Sequence, residues 1–240
     1  MRVLNLGCGS KTSSRCINID WSPYLRVKKN KLLRVLVAPF LNEERRHRLI
    51  MLSDNVMAWN LRKGIPFPDE SVDAVYHSHI LEHIDRKDVA SFQKEIYRVL
   101  KSGGTQRICV PNLEALARDY LSSLERCRVD ETALDHHDNC IAEMIEQCVR
   151  REPFGTQHQP PVRRYLENLI LGDARKRGET HQWMYDECNL KFILRQAGFH
   201  GIAIRRFNES NIPDWQSFGL EVDEEGNEYK PGSLYVDCMK

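Results

Sequence analysis

Val3-Leu4-Asn5-Leu6-Gly7-Cys8-Gly9-Ser10 is an apolar run that ends in two closely spaced glycines. Such a run followed by glycines predicts a buried strand that enters a tight turn. Glycine suits this turn because its backbone adopts positive φ angles and lets a ligand approach closely. We therefore expect a phosphate- or cofactor-binding turn directly after the first strand.

A second short apolar piece, Ile17-Asn18-Ile19, ends in Asp20. Neighbouring parallel strands would place the glycine turn and this carboxylate at one edge of a sheet, where α/β folds bind nucleotides. The carboxylate could accept hydrogen bonds from two ribose hydroxyls. Asp20 lies 20 − 7 = 13 residues after Gly7, whereas a nicotinamide-dinucleotide fingerprint places its acid about 20 residues on. We therefore expect a loop or a single turn between these strands instead of a full crossover helix.

A third pattern occupies residues 65–84 and consists of Ile-Pro-Phe-Pro-Asp-Glu-Ser-Val-Asp-Ala-Val-Tyr-His-Ser-His-Ile-Leu-Glu-His-Ile. Its prolines predict a turn, and Val72 to Tyr76 predict a short buried strand. His77-Ser78-His79 then follows at the C-terminal end of that strand, on the same sheet edge as Gly7 and Asp20.

The remaining core elements follow from periodicity and capping residues. Residues 88–100 predict an amphipathic helix with Asp88 as N-cap, which Lys101-Ser-Gly-Gly104 ends. Asp186 is the predicted N-cap of a later helix that Gly198 closes. The other predicted strands are Asn55 to Trp59, Arg107 to Pro111, Ile202 to Phe207 and Ser233 to Cys238.

These motifs resemble those of class I S-adenosylmethionine-dependent methyltransferases of the type 11 kind, in the variant with a shortened first crossover. The likeness rests on the glycine turn, on P-F-x-D-x-S-x-D with His-x-Leu-Glu-His, and on H-x-W-x-Y-D and S-L-Y-V near the C-terminus. It covers residues 1–111 and 180–240. It implies a Rossmann-like, doubly wound α/β fold whose seven-stranded sheet is mostly parallel with an antiparallel last strand.

The resemblance also implies a set of S-adenosylmethionine contacts. The glycine turn would lie beside the methionine part of the cofactor, Asp20 would hold the ribose, and Asn60 would bond the adenine amino group. The full set of implied cofactor-binding residues is Leu6, Gly7, Cys8, Gly9, Asp20, Trp21, Asn60, Leu61, Ser78 and His79.

Two histidines are candidates for catalysis. If the acceptor is a hydroxyl, a neutral imidazole would help to remove its proton, and His79 or His181 could supply it. No N-P-P-Y-type motif follows the fourth strand, which argues against methylation of adenine in nucleic acids. We expect O-methylation of a small-molecule or glycan-type acceptor. A non-catalytic binding protein of the same fold and a nucleotide-dependent oxidoreductase are the alternatives.

The histidine-rich pattern does not predict a metal site. His79 and His83 are four residues apart, as in a zincin helix, but a zincin places its glutamate directly after the first histidine. Here Glu82 precedes the second histidine, and the spacing indicates no third ligand. We therefore expect no bound metal.

The core pattern lapses between residues 112 and 179. Helical spacing is still present around 113–124, 141–148 and 165–170. We expect an inserted helical lid or substrate region over the cofactor edge, because variable loops on a rigid sheet carry specificity. A dimerisation element, and hence a homodimer, is the alternative.

Composition limits the partners and the location. The 240 residues include 35 Lys+Arg and 34 Asp+Glu, so no global field attracts nucleic acid. No apolar run approaches the roughly 20 residues that span a bilayer, and the first strand leaves no room for a secretory signal. The 8 cysteines form no C-x-x-C pair, which argues against a zinc ribbon or a disulfide framework. We expect a cytoplasmic protein without membrane association.

Overall fold

The computed structural model describes residues 1–37, 46–47, 49–50, 52–148, 162 and 180–240. Seven strands form one sheet. In chain order they are β1 Val3–Leu6, β2 Ile17–Asp20, β3 Val56–Ala58, β4 Val72–Ser78, β5 Leu100–Pro111, β6 His200–Arg205 and β7 Ser233–Met239.

The sheet has the order β3-β2-β1-β4-β5-β7-β6. Strands β3, β2, β1, β4 and β5 pair in parallel, whereas β7 pairs antiparallel with both β5 and β6. This arrangement confirms the predicted mostly parallel, Rossmann-like sheet with an antiparallel last strand. As expected, the connection from β1 to β2 contains turns and no helix.

Helices whose bounds lie within the described residues accompany these strands. They are α1 Pro23–Lys29, α2 Lys31–Val37, α3 Arg86–Val99, α4 Leu113–Cys127, α5 Leu134–Gln147 and α6 Glu187–Gln196. The N-cap prediction for α6 is confirmed, since Asp186 and Asn189 form a reciprocal capping box.

Two predicted boundaries are wrong. Helix α3 begins at Arg86 with Asp85 as the N-cap position, so Asp88 lies inside the first turn. Strand β5 begins at Leu100 instead of Arg107, because the Gly103 N–H and the Gly104 carbonyl pair with Lys240 beyond the end of β7. The glycines there extend the sheet and are not a loop.

Both faces of the sheet are covered. Apolar residues of α3 and α6, such as Ile96 and Leu194, pack on Leu4 and Ile108 in the largest core cluster. On the other face, the 212–220 segment packs on β1 and β4. A smaller cluster joins Cys8 and Val56 to Leu25 of α1. None of the helices within the described ranges has the length and apolar character that a membrane crossing needs.

The region that the sequence predicts to be an insertion begins as a helical pair. Helix α4 packs on α5 through a hydrogen bond between the Ser123 hydroxyl and His137 Nδ1 at 2.8 Å. The ring of Tyr120 stacks on the same histidine. These helices account for the helical spacing around 113–124 and 141–148, while the spacing at 165–170 lies outside the described residues.

A buried ion network ties the antiparallel end of the sheet to the connecting segments. Arg107 of β5 is fully buried and pairs with Glu221 Oε2 at 2.5 Å and with Asp237 Oδ1 of β7 at 3.1 Å. It also donates to the backbone carbonyls of Arg206 and Glu209. The guanidinium therefore fixes the path of the chain that leads from β6 back to β7.

We predict that Arg107→Met destabilises the fold strongly, because two buried carboxylates lose their cation. Removing one partner of a buried pair costs about 3–5 kcal/mol of unfolding free energy. The half-exposed pair between Lys101 and Asp73 provides the control, since Lys101→Met should cost less than about 1 kcal/mol. Urea unfolding monitored by circular dichroism measures both, and similar losses in the two variants would contradict the prediction.

Candidate functional site

The ends of four parallel strands meet at one edge of the sheet. Leu6, the buried last residue of β1, is paired with Ile19 on one side and with His77 on the other. Asp20 ends β2 and is paired with Ala58 at the end of β3. Every predicted cofactor residue therefore lies in or directly after a strand that ends at this edge.

The glycine turn has the conformation that the sequence predicts. Gly7 and Gly9 have φ angles of 58° and 52°. A Cβ atom on Gly7 would lie 2.2 Å from Cδ1 of Ile80, whereas one on Gly9 would meet no atom within 4 Å. Gly7 is thus required both for its backbone angle and for its close contact with the segment after β4.

Cys8 lies between these glycines and also lines the cavity described below. Burial is the main cause that raises the pKa of its thiol to about 12. The thiol therefore stays protonated at neutral pH, and Cys8 is no activated nucleophile.

Asp20 has one engaged and one free carboxylate oxygen. Its Oδ1 accepts a hydrogen bond from the Trp21 N–H at 2.7 Å. Its Oδ2 is buried and has no hydrogen-bond partner among the described residues. Burial raises the pKa of this carboxyl. A buried carboxylate oxygen without a partner is costly, and a ribose hydroxyl would satisfy it.

Three further predicted contacts flank Asp20. The Trp21 side chain is 43% exposed, with the Arg26 guanidinium 5.1 Å from its ring centroid. Asn60 Oδ1 accepts from the Arg62 N–H at 3.0 Å and so caps a short 3-10 turn. Leu61 is half-buried and packs on the core. The amide NH₂ of Asn60 and its second lone pair are the groups left for an adenine.

A cavity of about 200 Å³ opens beside the glycine turn. Ser78 and His79 line it from the end of β4, and Tyr229 and Lys230 line it from the segment before β7. Burial lowers the pKa of Lys230. Sequence patterns did not indicate Tyr229 and Lys230, since a polar, acidic hairpin carries no spacing signal for a site.

His79 is held in a strained conformation at this cavity. Its φ angle of 51° is unusual for a residue with a side chain, and its N–H donates to the Cys109 carbonyl at 2.9 Å. Its Nε2 lies 3.0 Å from the Ser233 hydroxyl, and its Nδ1 lies 3.2 Å from Glu82 Oε1. Strained residues of this kind cluster at functional sites.

Glu82 is the fully buried residue behind His79. Burial opposes ionisation of its carboxyl, but the contacts with the neighbouring imidazoles of His79 and His83 outweigh this, so that its pKa falls to about 2. Burial likewise is the main cause that lowers the pKa of His83. Glu82 is therefore a carboxylate at neutral pH.

His181 does not line the cavity with His79. Its ring lies against that of His83, with centroids 4.8 Å apart. Its Nδ1 lies 2.8 Å from the Gln147 carbonyl at the end of α5. One donor atom from each of Glu82, His83 and His181 lies within 4.8 Å of the others. The structure thus brings a third metal-ligating group to the His-x-Leu-Glu-His segment, which the spacing did not indicate.

Comparison with known proteins finds a methyltransferase domain in the first part of the chain. Residues 4–108 match the family model described as "Methyltransferase domain", a span that runs from β1 to β5 and includes the glycine turn, Asp20 and His79. Residues 4–108 of this chain therefore form a methyltransferase domain. Its cofactor is accordingly S-adenosylmethionine. The match favours this methyltransferase over the alternative of a nucleotide-dependent oxidoreductase.

Several solved structures resemble the methyltransferase. A SAM-dependent methyltransferase from Methanosarcina mazei has a TM-score of 0.46 and 16% identity, with 100% of this chain and 92% of that chain covered. One from Archaeoglobus fulgidus has a TM-score of 0.45 and 18% identity, covering 100% and 86%. One from Mesorhizobium loti has a TM-score of 0.43 and 15% identity, covering 100% and 90%. No curated protein matches the sequence.

We predict that a side chain at position 7 destabilises the methyltransferase, because Ile80 contacts Gly7 closely. Gly7→Ala should lower the unfolding free energy by about 2–4 kcal/mol, through the clash with Ile80 and the positive φ angle. Gly9→Ala, with open space for its Cβ, should cost about 1 kcal/mol from the φ angle alone.

The double variant Gly7→Ala/Ile80→Ala separates the two causes. Chemical unfolding of the four proteins Gly7→Ala, Ile80→Ala, the double variant and the parent measures their coupling. The steric explanation would be contradicted if the loss of unfolding free energy in the double variant equalled the sum of the losses in the two single variants.

We predict that Asp20→Asn and Asp20→Ala weaken binding of S-adenosylhomocysteine by one to two orders of magnitude. This loss corresponds to roughly 1.5–3 kcal/mol, the contribution of a hydrogen bond to a charged group. The control is Asp54→Ala, which removes a 92% exposed carboxylate that pairs with Lys28 nearby and should leave affinity unchanged. Isothermal titration calorimetry measures all three, and parent-like affinity in both Asp20 variants would reject the ribose contact.

Proposed function

We propose that this methyltransferase O-methylates a small polar acceptor of the sugar or polyhydroxy type, with His79 as the general base. The observation that carries the proposal is the position of His79, which has the cavity on one side and the buried Glu82 on the other. The cofactor contacts proposed from sequence are part of the same proposal.

S-adenosylmethionine supplies a methyl group that is already activated on a sulfonium. The chain must therefore mainly hold the acceptor oxygen in line with that group and receive its proton. The open space where Gly9 lacks a side chain would accommodate the methionine part beside the cavity, and the free oxygen of Asp20 is available to the ribose.

The contacts of His79 suit the role of a base. A carboxylate can only accept, so the 3.2 Å approach of Glu82 Oε1 favours the tautomer with the proton on Nδ1. Nε2 then carries the lone pair and accepts a hydrogen bond from the Ser233 hydroxyl, whose oxygen lies 3.0 Å away. An acceptor hydroxyl that takes the place of this partner would give its proton to Nε2 while its oxygen gains the methyl group.

The remaining cavity residues favour a polar acceptor. Asn5, Ser10 and Ser78 are polar residues that line the cavity. The Lys11 ammonium donates to the Val222 carbonyl at 2.6 Å and lies 4.3 Å from the Tyr229 ring centroid. Together with Lys230, it surrounds the cavity with hydrogen-bond donors that suit hydroxyl or carboxylate oxygens.

We propose further that residues 1–111 and 180–240 are the catalytic core and that residues 112–179 form an insertion on the acceptor side. Two contacts support this division. Asn112, at the start of the insertion, pairs with Tyr185 of the core, and Gln147 contacts His181. A role in dimerisation is the alternative. It would be favoured if light scattering showed a dimer for the parent and a monomer after mutation of the exposed Leu121.

We predict that His79→Gln lowers kcat for a hydroxyl acceptor by about 10²–10⁴-fold, the range for loss of a general base. S-adenosylhomocysteine should still bind within about tenfold of the parent, because Asp20 and the glycine turn are unchanged. The exposed His200 of β6 provides the control, since His200→Gln should retain full turnover.

The assay follows release of S-adenosylhomocysteine over a panel of monosaccharides, sugar acids and matched amino sugars. Turnover by His79→Gln equal to that of the parent would reject the base assignment. Methylation of amines with no methylation of hydroxyls would reject O-methylation.

A further inference from the structure

We propose that Glu82, His83 and His181 form a binding site for one divalent transition-metal ion. This inference goes beyond the proposed methyl transfer and departs from the expectation, drawn from spacing alone, that no metal is bound. It rests on the backbone that joins the three residues, on the orientation of the two imidazoles, and on the state of the carboxylate.

The backbone brings the three side chains together from two distant segments. Glu82 and His83 are consecutive in the 3-10 turn Leu81–His83. The Glu82 carbonyl accepts hydrogen bonds from the Gln182 N–H at 2.6 Å and from the Trp183 N–H at 3.3 Å. This contact fixes the segment that carries His181 beside the turn, so the group does not depend on long, freely rotating side chains.

Both imidazoles present the same nitrogen to the group. His83 Nδ1 lies 3.1 Å from the Thr180 carbonyl, and His181 Nδ1 lies 2.8 Å from the Gln147 carbonyl. Because a carbonyl only accepts, each Nδ1 carries the proton and each Nε2 keeps its lone pair. Metal-binding histidines characteristically donate their second nitrogen to a carbonyl or carboxylate in this way.

The carboxylate supplies the second, independent observation. Glu82 is 0% exposed. Its Oε1 lies 3.2 Å from His79 Nδ1 and 3.9 Å from His83 Nε2, whereas its Oε2 has no hydrogen-bond partner among the described residues. A buried carboxylate oxygen without a partner is costly, and a cation between the carboxylate and the two Nε2 atoms would compensate that cost.

The spacing of the donors is close to that of a coordination sphere. One donor atom from each residue lies within 4.8 Å of the others. Ligands about 2.0–2.2 Å from a zinc ion are about 3–3.5 Å apart, so modest side-chain rotations would close the site. Two imidazole nitrogens and one carboxylate oxygen suit zinc and neighbouring first-row metals better than magnesium or calcium, which prefer oxygen ligands.

The test titrates the metal-stripped, full-length protein with ZnCl₂ by isothermal titration calorimetry. We expect one zinc ion per chain, with affinity reduced at least 100-fold in Glu82→Gln and in His181→Asn. Elemental analysis of the purified protein gives an independent count. Metal binding is measured without acceptor or turnover, so its failure is distinct from failure of the proposed methylation.

Two control variants establish that zinc binds at these three residues and at no other histidine tested. His200→Asn removes an exposed histidine far along the sequence and should bind zinc like the parent. His136→Asn removes the histidine whose Nε2 lies 3.8 Å from the Cys140 thiol on α5, and it should also bind like the parent. Near-ultraviolet circular dichroism and thermal unfolding establish that Glu82→Gln is folded, since glutamine keeps the shape of the buried side chain.

The inference is overturned if the parent binds no zinc, or if folded Glu82→Gln and His181→Asn both bind as tightly as the parent. It is also overturned if His136→Asn abolishes binding, because the ion would then lie on α5.

Discussion

The packing of Ile80 against Gly7 is the constraint on which the arrangement of the cofactor edge depends. The space that a side chain on Gly7 would fill is occupied by Ile80, so the turn after β1 and the segment after β4 are in direct contact. Strand β1 is also paired with β2, which places Asp20 on the far side of the same turn. A change in this contact would therefore move Asp20 and His79 relative to each other.

Sequence patterns were informative where the deciding interactions are local. The β1 run, the acid that ends β2 and the Asp186 capping box all depend on neighbours within a few residues. The start of α3 was misplaced because Asp85 and Asp88 are equally suitable caps, and the start of β5 because its first residues pair with Lys240. Such long-range pairing leaves no trace in a short window of sequence.

In the candidate site, too, the features set by local sequence were predictable and those set by long-range contacts were not. The strand ends that carry Gly7, Asp20, Asn60 and His79 are predictable, because parallel strands must end at a common edge. The contact between His83 and His181 joins residues 181 − 83 = 98 positions apart, and Lys230 reaches the cavity from a hairpin held by the Arg107 network. Their positions follow from the tertiary fold and from no motif.

The strand order also has a consequence for assembly of the sheet. Within the described sheet, β6 is hydrogen-bonded to β7 and to no other strand, although β6 comes first in the chain. Strand β7 must therefore bridge β5 and β6 before β6 can join, and its partners in β5 lie more than 120 positions earlier, as in the pair Val236↔Ile108. Pairing at such sequence separations is entropically slow. Helix α6 would consequently dock while the following strand β6 is still unpaired. The backbone amides of β6 and β7 should therefore be the last to become protected from hydrogen exchange.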